Sequence, residues 1–146
     1  LTIDELTEAA RRNTVSKFGI QLINIQEMNQ FFTKGRHKEP KPFGEVQMVS
    51  PILHTLTNSI EINGASLMLI PGVLEDIGEK SGMDYYILPS SIHEPLIARD
   101  DGLVSAKMLK EIVHEGNRTD PVIKPEDVLS DNVYFYSRTE KSLKIA

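Results

Sequence analysis

The sequence predicts an α+β domain: an antiparallel or mixed sheet of hairpin-like strand pairs with about three to four helices packed on it. Three observations predict it. Amphipathic helical stretches alternate with short apolar runs of strand length. The element order reads α, β, α, β, β, α, β, β, α, β, β, without the regular βαβ rhythm of a doubly wound sheet. A chain of 146 residues, 40% of them hydrophobic, suits one domain with a single core over residues 1–146.

The first element is a helix. In "LTIDELTEAARRNT" Thr2 and Glu5 have capping-box spacing, and Ile3, Leu6 and Ala10 recur on one face. Asp4, Glu5 and Glu8 come early and Arg11 and Arg12 late, which suits the helix dipole. "FGIQLINI" (18–25) alternates as a strand does. Asn24 and Glu27 offer a second capping pair for a helix over 25–35 ended by Gly35. "RHKEPKPFGEVQ" has two prolines and no period, so it reads as a solvated loop.

"PILHTLTNSIEINGASLMLIPG" is read as two strands around Asn63-Gly64, with Ile60 and Ile62 before a type I′ turn and Leu67 and Leu69 after it. The second arm could instead begin a helix, since Ala, Ser, Leu and Met tolerate one. Pro71 then opens a helix that points Val73, Leu74 and Ile77 inward and closes at Gly82. Glu75, Asp76, Glu79 and Asp84, mixed with Lys80, form its wet side.

"DYYILPSSIHEPLIARDDG" is strand, break, strand. Pro89 interrupts, because it has no N–H and pushes Leu88 toward extended geometry. Asp100, Asp101 and Gly102 turn the chain. "LVSAKMLKEIVHEG" is a helix with Met108, Leu109, Ile112 and Val113 facing the core. "KPEDVLSDNVYFYSR" gives a helical turn and a strand; "TEKS" turns, and "LKIA" pairs back.

Composition excludes several kinds of chemistry. There are no cysteines, so disulfides, thiolate catalysis and thiolate zinc sites are out. Net charge is −5, which argues against a phosphate-neutralising surface and hence against nucleic acid as a partner. No apolar run approaches the roughly 20 residues of a membrane span, so no membrane partner is expected. The four histidines, His37, His54, His93 and His114, show no ligand spacing, and no phosphate-binding or dinucleotide motif occurs. No metal and no cofactor is therefore expected.

One polar cluster stands out. Ser90, Ser91, His93 and Glu94 crowd between two apolar runs in "YILPSSIHEPLI". In an extended chain Ser91 and His93 share a face and Glu94 takes the other, so the carboxylate cannot orient the imidazole. The flanking context is strand to strand, without the Gly-x-Ser-x-Gly elbow of a hydrolase. Two readings stand. In one, the hydroxyls and imidazole satisfy backbone groups freed by Pro89. In the other, the four residues form a hydrolase-like or small-ligand site.

The strings "LTIDELTEAARRNT", "TNSIEINGASLML", "PGVL", "YILPSSIHE" and "LSDNVYFY" together resemble an uncharacterised bacterial family, domain-of-unknown-function family 5688, common in anaerobic gut bacteria. The resemblance runs across nearly the whole chain, and it is to the C-terminal half of such proteins. It implies a cytoplasmic location and a preceding N-terminal half, which agrees with a chain opening on Leu1. It implies no catalytic residue. The expectation is a non-enzymatic interaction or regulatory module whose partner is its own N-terminal half or another protein. No oligomeric state is assigned.

Overall fold

A computed structural model describes residues 1–27 and 40–146. Among the described residues six strands form one antiparallel sheet: β1 (Gln21–Asn24), β2 (His54–Thr57), β3 (Tyr85–Leu88), β4 (Leu96–Arg99), β5 (Tyr134–Ser137) and β6 (Ser142–Ile145). Their order across the sheet is β1-β2-β4-β3-β5-β6. The central pair is the strand–break–strand expected around Pro89, in register Ile87↔Ile97 and Leu88↔Leu96. The strand expected near residues 18–25 and the closing pair around "TEKS" are also present.

Both faces of the sheet are apolar, because helices cover both. On one face Leu22, Leu56, Tyr85, Ile87, Ile97 and Tyr136 pack with Val73 and Ile77 of helix α2 (Val73–Ser81). Tyr85 and Tyr136, opposite each other in the ladder, stack with ring centroids 5.0 Å apart. On the other face Leu88, Ala98 and Val133 meet Leu109 and Val113 of helix α3 (Ala106–Thr119). Residue parity along each strand decides which cluster a side chain joins.

Each helix shows why its residues fold locally. α1 (Ile3–Phe18) carries the full capping box: Glu5 N–H donates to Thr2 Oγ1 at 3.2 Å, and Thr2 N–H donates to Glu5 Oε2 at 2.8 Å. α2 ends at Gly82 in the left-handed region, φ 72°. α3 starts on Ser105, whose hydroxyl accepts from Met108 N–H.

Four expectations need correction or fall elsewhere. Asn63-Gly64 is not a hairpin turn. β2 lies upstream at His54–Thr57, Ile60 and Ile62 are exposed, and Gly64–Leu69 forms a 3-10 helix. The helical alternative for that arm is the one realised. Met108 and Ile112 do not face the core; they are about half exposed, and the narrower Leu109–Val113 stripe alone is buried. Among the described residues no side chain of α1 is fully buried, and Leu6 and Ile3 are exposed. The helix expected over 25–35 falls largely outside the described residues.

Candidate functional site

The polar cluster sits in the connection between β3 and β4, where Pro89 ends the ladder after Leu88. This connection is gripped from both sides. On one side, Ile92 N–H donates to Asp127 O at 2.9 Å and Leu129 N–H donates to Ser90 O at 3.1 Å, around an isolated bridge between Ser91 and Val128. On the other, Ala65 N–H donates to Ile92 O and Gly64 N–H donates to His93 O, both at 3.0 Å. The hydroxyl of Thr57 adds a 3.4 Å bond to His93 O. Buried backbone groups need such partners, and a segment that leaves its ladder must find them elsewhere.

The side chains complete the clasp. Ser91 Oγ accepts from His93 N–H at 3.1 Å. His93 Nδ1 accepts from Asn63 N–H at 3.0 Å, and His93 Nε2 lies 3.3 Å from Asp127 Oδ1. An imidazole nitrogen that accepts carries no proton, so the neutral ring holds its proton on Nε2 and donates toward Asp127. Neither nitrogen keeps a free lone pair. The ring therefore lacks the unengaged acceptor that a general base presents to a nucleophile. Ser91 Oγ is engaged with the backbone of His93, not with its ring.

Gly64 shows how close the approach is. A Cβ there would stand 2.3 Å from His93 O, 2.8 Å from Leu56 O and 2.9 Å from Thr57 Cα. All three are backbone atoms, so a side chain is excluded. Asn63 sits beside it at φ 55°, a left-handed position that Asn tolerates. The Asn-Gly pair was thus legible as a special backbone, but its purpose is docking against residue 93.

Among the described residues no hydrogen bond joins the Glu94 carboxylate to this clasp. Its pKa is pushed up by burial first and by the Glu61 carboxylate second, with His93 pulling the other way. Ser90 is buried. The structure therefore brings Ser91 and His93 into one hydrogen-bonded unit and adds Asn63, Gly64 and Asp127 to it. Nothing in the spacing announced Asp127, which belongs to the short 3-10 turn Pro125–Asp127.

A second histidine is buried in the sheet. His54 is 1% exposed, and its Nδ1 has no hydrogen-bond partner among the described residues. Burial lowers its pKa, with Arg99 assisting and the Ile52 carbonyl and Glu27 opposing. Among the described residues no group of three or more His, Asp or Glu is placed to hold a metal.

Two apolar grooves flank the clasp. One, of about 480 Å³, runs between α1 and the 58–66 loop and is lined by Phe18, Ile60, Ile62, Ala65, Ile92 and Leu129. The other, of about 330 Å³, is lined by Met68, Leu69, Pro89, Leu129, Tyr134 and Leu143. Leu129 belongs to both. The clasp thus forms the ridge between two greasy depressions.

A family model described as "Family of unknown function (DUF5688)" matches residues 1–138. The chain belongs to this family. No curated protein and no solved structure matches it. The match covers the clasp, the first groove and the first five strands, and stops before β6, whose Leu143 walls the second groove. Among the described residues no helix is long and apolar enough to cross a membrane.

Proposed function

We propose that this domain is a non-enzymatic interaction module that binds a polypeptide segment across its two neighbouring grooves. One observation carries the reading: Leu129, 46% exposed, walls both depressions, beside Leu69 at 70% and Leu143 at 42%. Apolar surface gathered in this way marks contact sites on soluble proteins. The bound segment belongs either to an N-terminal half of the same protein or to another protein. A cytoplasmic, bacterial setting, as the family resemblance implies, is part of the same proposal.

The alternative is a hydrolase-like or small-ligand site built on Ser90, Ser91, His93 and Glu94. It has less support, because His93 spends both ring nitrogens on the fold and neither groove is lined by His93.

Photo-crosslinking tests the reading. A benzophenone side chain replaces Leu129 in the full-length natural protein inside its own cells. A control replaces Val122, which is 82% exposed and outside both grooves. The expected result is one adduct from position 129, mapping to a single polypeptide segment, absent at 122 and lost with Leu69→Asp. Thermal melts of each variant verify folding. Equal or no adducts from the two positions would overturn the proposal.

A further inference from the structure

Among the described residues the sheet edge at β6 is unpaired, and its chemistry points to a particular occupant. Ala146 N–H donates to Val133 O at 2.8 Å, continuing the β5–β6 register. In an antiparallel ladder, bonded pairs alternate with non-bonded pairs. Lys144 with Phe135 and Ser142 with Ser137 are therefore bonded pairs. Leu143 and Ile145 take the intervening positions, so their N–H and C=O groups point out of the sheet. Among the described residues nothing pairs with them.

The side chains around this edge are sorted by face. Leu143 and Ile145, at 42% and 60% exposure, lie on the face that carries Tyr134 and Tyr136. There Leu143 lines the 330 Å³ groove with Met68, Leu69 and Tyr134. Lys144 lies on the opposite face, with Nζ 5.7 Å from the centroid of the Phe135 ring. An added strand would place alternate residues over the groove and the residues between them beside Lys144.

We propose that the β6 edge binds an extended peptide of alternating apolar and acidic residues. Its backbone pairs with Leu143 and Ile145, its apolar side chains reach the groove, and an acidic side chain faces Lys144. This is strand addition, in which main-chain bonds give affinity and alternate side chains give selectivity. The proposal rests on the interaction reading above and names the partner's chemistry.

A second copy of the chain fits the edge badly. Two β6 strands paired through Leu143 and Ile145 about a twofold axis place Lys144 directly opposite Lys144, in the closely spaced kind of pair. Like charges facing each other across strands are destabilising, and an edge lysine is a common guard against self-pairing. The same lysine favours a carboxylate from a different chain.

Amide NMR of the full chain tests this. The probe is a short acetylated, amidated peptide alternating valine and glutamate. It is expected to shift the Leu143 and Ile145 amides and slow their hydrogen exchange, leaving the Ser142 and Lys144 amides protected as before. A valine–lysine peptide should bind more weakly by about two- to fivefold, the size of one cross-strand charge pair. Lys144→Glu should reverse that preference, and a valine–glutamate peptide N-methylated along its backbone should not bind. Unmoved Leu143 and Ile145 amides would sink the proposal. So would concentration-dependent shifts of these amides without peptide, which would make the occupant a second copy. If the peptide fails while Leu129 still crosslinks specifically, only the β6 proposal falls; if both fail, the interaction reading falls with it.

Discussion

The backbone N–H of Asn63 donates to Nδ1 of His93 at 3.0 Å, across thirty residues of sequence. That bond joins the 58–66 loop to the break between β3 and β4, and it fixes the tautomer of the ring. It also explains why a histidine stands at this point in the chain: one nitrogen accepts from Asn63 while the other donates toward Asp127.

Replacing His93 is therefore expected to act on stability. His93→Ala removes both side-chain bonds and should cost about 1–2 kcal/mol. His93→Asn, whose amide oxygen can reach where Nδ1 stood, should recover part of that loss. Urea unfolding of the two variants checks the order. Equal stability of His93→Ala and the natural chain would show that the clasp contributes nothing.

Gly64→Ala should be far worse than an ordinary loop change. The added Cβ meets His93 O at 2.3 Å and Leu56 O at 2.8 Å, and no flexible side chain is there to yield. The backbone itself must move, breaking the bonds from Gly64 and Ala65 to the 92–93 carbonyls. A loss of about 3 kcal/mol or outright unfolding is expected, read from thermal melts. Gly44→Ala, with nothing within 4 Å of its Cβ, is the matched control.

His54 should set the acid limb of stability. Its folded pKa lies below the ordinary histidine value of 6.5, so the folded chain holds this proton less tightly than the unfolded chain does. Its contribution is fully present above pH 6.5 and is lost as pH falls through the folded value. Urea midpoints should decline as pH falls from 6.5 toward the folded value. His54→Leu, which also removes a buried nitrogen with no partner among the described residues, should flatten the decline while leaving stability at pH 8 within about 1 kcal/mol. An unchanged slope in that variant would assign the acid limb to other groups.

Two neighbours on α3 should behave oppositely. Leu109 is 1% exposed against the sheet, and Leu109→Ala should cost about 2–4 kcal/mol. Met108 is 50% exposed, and Met108→Ala should change stability by less than about 0.5 kcal/mol. Chemical denaturation of the pair separates the buried stripe from the face that periodicity alone would bury.

What the sequence determined by itself was local. The Thr2–Glu5 capping box, the Gly82 helix end, the chain break at Pro89 and the final strand pair all follow from a few adjacent residues, and all are present. Such signals are legible because caps, turns and alternation act over one or two turns of chain. Tertiary structure decided everything that depends on distant neighbours. Asn63-Gly64 carries the local mark of a hairpin, yet it serves as a close-approach point for His93 O, because β2 forms upstream and pairs with β4. Ile3 and Leu6 have the spacing of a buried stripe, yet nothing within the described residues covers them. Asp127 carries no sequence mark at all and gains its place only when the chain folds back on the β3–β4 connection. The physical reason is common to all three: spacing specifies which face a residue joins, while only the packed sheet specifies what that face meets.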